Sequence, residues 1–198
     1  MSKNKLGHPL MHKLIAQIMW AEGNLEQARH HFLLSRDGVG CGQMLIELSQ
    51  TKGFPNEIDL FIAQVVLQQL CLKEKYSAVK TFETYTKHHP KIACCEPPFI
   101  LPLLNFLFFL LKSTEVGNLT MFTTLCELYK ASLERDPSYD KYLQKIGVIF
   151  FGATPPPTRP SGGIFGDLIN QLFQSLDDDD TTDTTSSSTA QSVDAELD

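Results

Sequence analysis

Six histidines and five cysteines are the residues of this chain best equipped for chemistry. Brought to one point they would hold zinc, whose structural sites need thiolate and imidazole ligands converging on the ion. Their spacing does not bring them together. The sequence has no CxxC pair and no HExxH. His30 and His31 are neighbours, as are His88 and His89, and neighbours on a helix point about 100° apart. They read as exposed helical histidines, with His88 and His89 favoured by the negative end of a helix dipole. DGVGCG at 37–42 is rich in glycine but lacks the Lys-Ser/Thr pair of a phosphate-binding loop and follows no strand. It reads as a loose turn between helices. No serine sits in a GxSxG elbow. Glu47, Asp59 and Glu127 are dispersed along helices, with no two placed to divide acid and base roles. No catalytic residue, cofactor or metal is expected.

The elements that would position such groups are helices. GNLEQARHHF at 23–32, KEKYSAVKTF at 73–82 and GNLTMFTTL at 117–125 share a layout. Each opens on a turn and an anchor, Leu25, Tyr76 or Leu119. The first two continue with a small residue, Ala28 or Ala78, and a Phe four positions on, Phe32 or Phe82. A small and a large side chain four apart lie on one helix face. The small one admits a neighbouring helix and the large one fills its groove. Such chains are arrays of helix pairs that present surfaces to partners.

Apolar spacing predicts helices over 8–21, 25–34, 41–50, 57–72 (with Asn56 as N-cap), 74–89, 99–111, 118–133 and 138–150. The class is all-α, an α-solenoid of antiparallel pairs like tetratricopeptide repeats over 1–152. The stretch 91–97 reads as irregular, with room for a small hairpin. The segment 99–111 is apolar on nearly every face. Thirteen helical residues reach only about 20 Å, against the roughly 30 Å of a bilayer core. It therefore reads as a helix enclosed by its neighbours and as the centre of the domain, and no membrane insertion is expected.

Beyond 152 the composition changes. ATPPPTRPSGG at 153–163 is a stiff, then flexible, linker. The segment 164–176 carries Ile164, Phe165, Leu168, Ile169, Leu172, Phe173 and Leu176 as an unbroken helical stripe. Residues 177–198 are acidic and rich in Ser and Thr, a disordered tail. Of the 23 acidic residues, eight lie after Leu176, where there is no Lys or Arg. The remaining 15 face 17 basic ones, so the body stands at +2 while the chain stands at −6. A body so near neutral offers nucleic acid no footprint. The polar start, without a leader pattern, and the odd number of thiols within helical patterns predict a reduced, cytosolic protein.

HPLMHKLIAQIMWAEGN, ARHHFLLSRDGVGC, FIAQVVLQQLCLK, TFETYTKHHP, PPFILPLLNFLFFLL, FTTLCELYKASLERDPSYDKYLQKIGVIFFG and the closing ELD resemble the C-terminal part of the Golgi to ER traffic protein 4 family. The resemblance runs in order through nearly the whole chain. It implies a cytosolic α-solenoid that does no catalysis and takes part in delivering tail-anchored membrane proteins to the endoplasmic reticulum. Family members bridge a ubiquitin-like subunit, or in animals a large BAG-family scaffold also called Scythe, to the ATPase that carries the transmembrane segment. Their N-terminal repeats hold the ATPase and their C-terminal helices the scaffold or ubiquitin-like partner. The upstream repeats have no counterpart here, so the resemblance extends to the scaffold-binding half. A stack cut at that place leaves the face of Leu10, Leu14 and Ile18 as an open edge.

Ile149, Phe150 and Phe151 end a helix just before a proline-rich linker, where self-burial is hard to complete. Together with Ile164, Phe165, Leu168 and Leu172 they are the expected partner-binding residues. The alternative is a structural subunit of another helical-repeat assembly, such as a proteasome-lid-like complex, which would end in a winged helix.

Overall fold

A computed structural model describes residues 6–93 and 96–154. They fall within the first of two units, Met1–Arg159; the second is Pro160–Asp198. The linker from 155 on, the amphipathic segment 164–176, the acidic tail, Cys94 and Cys95 lie outside the described residues.

The described chain runs α1 (Pro9–Ala21), α2 (Leu25–Leu34), α3 (Gly38–Lys52), α4 (Ile58–Cys71), α5 (Lys75–His88), α6 (Pro102–Val116), α7 (Leu119–Leu128), α8 (Lys130–Leu133) and α9 (Ser138–Phe151). No strand occurs among the described residues. The class is the all-α solenoid that the apolar spacing predicts. The helix starts are capped as their sequences allow. His8 accepts the amide of Leu10 at 3.2 Å ahead of Pro9, and Asn118 accepts that of Met121 at 3.0 Å. Glu57, not the expected Asn56, stands at the N-cap position of α4, where its side chain makes no capping hydrogen bond.

The repeat places Ala28, Phe32, Ala78 and Phe82 in the core. Its anchors differ. Leu25 is buried, whereas Tyr76 is 73% exposed. Tyr76 stands two residues before its Ala rather than three, and one residue on a helix is about 100° of rotation. The ring therefore turns outward, where Lys80 Nζ stands 5.9 Å from its centroid.

The glycine-rich stretch is not a loose turn. Asp37 accepts the amide of Gly40 at 3.0 Å and starts α3 there, three residues earlier than its apolar pattern shows. Gly38 and Gly42, one turn apart, lie against α5. A Cβ on Gly38 would stand 2.5 Å from the Ser77 carbonyl oxygen. One on Gly42 would stand 2.8 Å from Thr84 Cβ and 2.9 Å from the Thr81 carbonyl oxygen. The glycines thus bring two helix backbones together.

The centre of the stack is α4 rather than α6. It packs on α2, α3, α5, α6 and α9 and buries Ile62, Ala63, Val65, Val66, Leu67 and Leu70 completely. The α6 helix buries Leu103, Leu104, Phe106, Leu107 and Leu110 but leaves Phe109 and Val116 exposed, so it is enclosed on most faces and open on one. The expected single helix 118–133 breaks at Tyr129, whose ring meets Phe106 at 5.8 Å.

His89 is buried rather than exposed. The Lys91 amide donates to its Nδ1 at 3.2 Å, so Nε2 carries the proton and donates to Ser49 Oγ at 3.0 Å. Burial first, and then Lys91, lower its pKa from the ordinary 6.5; desolvation outweighs the dipole of α5. A depressed histidine contributes stability in full above its unfolded value, and that contribution is lost as pH falls through the folded value. The urea midpoint is therefore expected to drop between pH 7.5 and 5.5, and to drop less in His89→Gln.

Candidate functional site

At the end of the described chain α7, α8 and α9 enclose an apolar groove of about 810 Å³. Its walls include Leu119, Phe122, Cys126, Leu133 and Leu143, with Gly147 on the α9 side. Phe122 is held in place by Phe151, stacked at 4.4 Å and 13°. Gly147 makes room for that pair, since a Cβ there would approach Phe122 Cε1 to 3.2 Å. Gly152, at φ 67°, ends α9 in the left-handed conformation. The Ala153 amide then donates to the Gly147 carbonyl at 3.0 Å. Ala153 and Thr154 are thereby turned onto the groove and form part of its wall.

The rim is charged. Glu127, Glu134, Asp136 and Asp140 line it, with Lys130 as the one cation of the lining. Asp136 also accepts the Ser138 amide at 2.9 Å and so starts α9. Beneath the rim, Arg135 reaches from the turn between α8 and α9 to the buried carboxylate of Asp59 on α4 and to the Asn56 carbonyl at 2.7 Å.

Cys126 is pushed up to about 11 by burial first, then by Asp140 and Glu127, so at neutral pH it is a thiol and a poor nucleophile. Cys41 and Cys71 are pushed up to about 12, in each case mainly by burial. Among the described residues no three His, Cys, Asp or Glu side chains are grouped to hold a metal ion. No helix of the described residues is long and apolar enough to cross a membrane.

Of the expected site residues, Ile149 and Phe150 are half-buried and Phe151 is buried against Phe122. The C-terminus of α9 completes more self-burial than its sequence promises, because α7 supplies a ring to stack on. Ile164, Phe165, Leu168 and Leu172 lie outside the described residues. The groove itself escaped the sequence reading. Its signal was available: Leu119, Phe122 and Cys126 recur at 3 and 4, followed along the chain by acids at 127, 134, 136 and 140. A second apolar stripe on the same helix (Met121, Leu125 and Leu128) hid it. Elsewhere, α1 exposes Leu10, Met11, Leu14 and Ile18, with Leu10 at 56% and Ile18 at 57%, which is the open edge expected there.

A family model described as Golgi to ER traffic protein 4 matches residues 1–173. The Golgi to ER traffic protein 4 homolog of Oryzias latipes is 52% identical over 176 residues, covering 89% of this chain and 54% of that protein. The homolog of Homo sapiens is 52% identical over 171 residues, covering 86% and 52%. That of Gallus gallus is 47% identical over 175 residues, covering 88% and 51%. The chain spans about half the length of the curated relatives it matches. Among solved structures, the crystal structure of C. therm. Get4 superposes with a TM-score of 0.67 at 24% identity, over 84% of this chain and 56% of that one. That likeness shows the fold.

Proposed function

The chain belongs to the Golgi to ER traffic protein 4 family, and on that premise we propose that it is a non-enzymatic scaffold subunit of a cytosolic complex delivering tail-anchored membrane proteins to the endoplasmic reticulum. Its C-terminal helices hold the BAG-family scaffold, the ubiquitin-like subunit, or both. The observation that carries this reading is the groove of α7, α8 and α9: roomy, apolar within and acidic at the rim. Its volume is in the range of binding clefts, and an amphipathic helix laid in such a groove would bury its apolar face there. The rim favours a segment with Lys or Arg on its flanks. Ile149 and Phe150 at the end of α9 are further proposed contacts, and Ile164, Phe165, Leu168 and Leu172, outside the described residues, are proposed contacts in their own right. The ATPase contact falls to the repeats that this segment does not match.

Leu119 and Thr123 are exposed on the groove wall, so charge there should leave the fold intact. Leu119→Asp with Thr123→Arg is expected to weaken scaffold binding at least about 10-fold, or ~1.4 kcal/mol, by isothermal titration or quantitative pull-down. Full affinity in a folded double variant would end the proposal for the groove. Phe150→Asp with Phe165→Asp tests the rest of the surface in the same way. Co-purification from cytosol, scored separately for the scaffold, the ubiquitin-like subunit and the ATPase, is expected to recover the scaffold.

A further inference from the structure

We propose that His12 and His31 form a proton-counting clamp that holds α1 onto α2 with zero or one added proton and releases it with two. His12 Nε2 lies 2.7 Å from the Leu6 carbonyl oxygen. A carbonyl only accepts, so Nε2 carries a hydrogen, and the neutral ring presents a bare Nδ1. That Nδ1 lies 2.9 Å from His31 Nδ1. One of the two must donate, so His31 is the Nδ1–H tautomer. The rings stand 5.1 Å apart, centroid to centroid.

The first added proton binds His31 at Nε2. It makes an imidazolium whose Nδ1–H still donates to His12, and the bond survives. The second has no site but His12 Nδ1, the lone pair that accepts the bond. Two N–H groups then face each other across 2.9 Å, and two cations share one contact.

The surroundings do not relieve that charge. On α2, His30 stands edge-on to His31 at 5.5 Å. Arg29 is engaged by Glu26 at 3.2 Å and by Gln64 at 2.9 Å. On α1, Lys13 lies next to His12 and takes the carboxylate of Asp37 at 3.0 Å, while His8 caps the helix start. Arg36, beyond α2, is held by Glu74 at 2.6 Å. The carboxylates near the pair, Glu26 and Asp37, are thus each engaged by another cation. Burial, then His12 and then His30, lower the pKa of His31 from the ordinary 6.5. Charge on His12 and His30 thus opposes charge on His31, so the doubly charged pair is the unfavourable one, and the clamp's stability is lost as pH falls below 6.5.

The molecule carries its own reporter. Trp20, the one tryptophan, sits on α1 with its ring edge-on to Phe32 of α2 at 5.8 Å, and it donates to Glu47 at 2.7 Å. The full chain is titrated from pH 8 to 4.5, with Trp20 emission and far-ultraviolet circular dichroism read together. We expect a red shift of emission with a midpoint below 6.5 and a Hill coefficient above 1, complete before the helical signal falls. Glu47→Gln should keep that step. His31→Asn should lose it, because an amide can turn either its donor or its acceptor to His12. Emission that moves only with global unfolding, or a full step in a folded His31→Asn, would overturn the clamp. Nitrogen-15 spectra of the unaltered protein at pH 7.5 test it without any variant. Neutral His31 is expected as the Nδ1–H tautomer, and Nε2–H on both rings would refute the proposal.

Discussion

Replacing Arg135 with Ala is expected to cost about 3 kcal/mol of folding stability. Asp59 is 0% exposed, and the Arg135 guanidinium is the partner of its Oδ2. Its Oδ1 has no hydrogen-bond partner. Without Arg135 the carboxylate stays in the core with no counter-charge, and a stranded buried ion costs more than the pair itself contributes. The loss falls at the lower end of the range for broken buried pairs, since the Arg135 side chain is 35% exposed and water screens it in part. For a domain of this size it corresponds to a fall in melting temperature of about 6–12 °C. Arg135→Lys should restore only part of it. An ammonium can meet Asp59 but lacks the fork that also reaches the Asn56 carbonyl. Arg135→Ala with Asp59→Asn should recover much of the loss, because the amide removes the charge. Thermal unfolding of the parent, Arg135→Ala, Asp59→Asn and the double variant measures the cycle, with Arg135→Lys alongside; an Arg135→Ala variant as stable as the parent would show that the clamp contributes nothing. The groove gives a second readout. Arg135 anchors the turn between α8 and α9, so scaffold binding is expected to weaken along with stability.

Gly42→Val is expected to destabilise by about 3 kcal/mol, the upper end for overpacking. On helix propensity alone a side chain would help, because glycine is about 1 kcal/mol worse than alanine inside a helix. The contact decides the sign. The new Cβ would stand 2.9 Å from a backbone oxygen of α5 and 2.8 Å from Thr84 Cβ, and a backbone cannot swing aside as a long side chain can. The helices must separate, which opens gaps beside Met44 and Leu45, both fully buried. Gly42→Ala should show a smaller loss, since propensity offsets part of the clash. Gly40 is a useful contrast. A Cβ there would meet the Asp37 carboxylate and the Phe32 ring, which are side chains rather than backbone, so Gly40→Ala should cost less than Gly42→Ala. Urea denaturation midpoints rank the three, and equal midpoints for the parent and Gly42→Val would refute the close approach of α3 and α5.

Local patterning was enough to place most helices. The four-residue spacing of Leu10, Leu14 and Ile18, and the Ala–Phe pairs of the repeat, mark helical faces without reference to any neighbour. The turns at Gly23, Gly53 and Pro90 end helices for reasons internal to the backbone. Family membership was legible because long ordered blocks survive where short motifs do not.

What patterning could not show is which of two faces on one helix meets which neighbour. Asn118–Leu128 carries two apolar stripes, and only the placement of α8 and α9 turns the stripe of Leu119, Phe122 and Cys126 into the groove described above. His89 looked like a surface residue at a helix end until Ser49 and Tyr85 closed over it. Gly38 and Gly42 looked like a turn because spacing records where side chains are absent, not what approaches the gap. Phe151 was read as exposed because the ring it stacks on lies 29 positions earlier in the chain. Helical periodicity is a property of neighbouring residues, and this sequence states it plainly. Burial, proton placement and the shape of a binding surface depend on residues tens of positions apart, and only their meeting in space decides them.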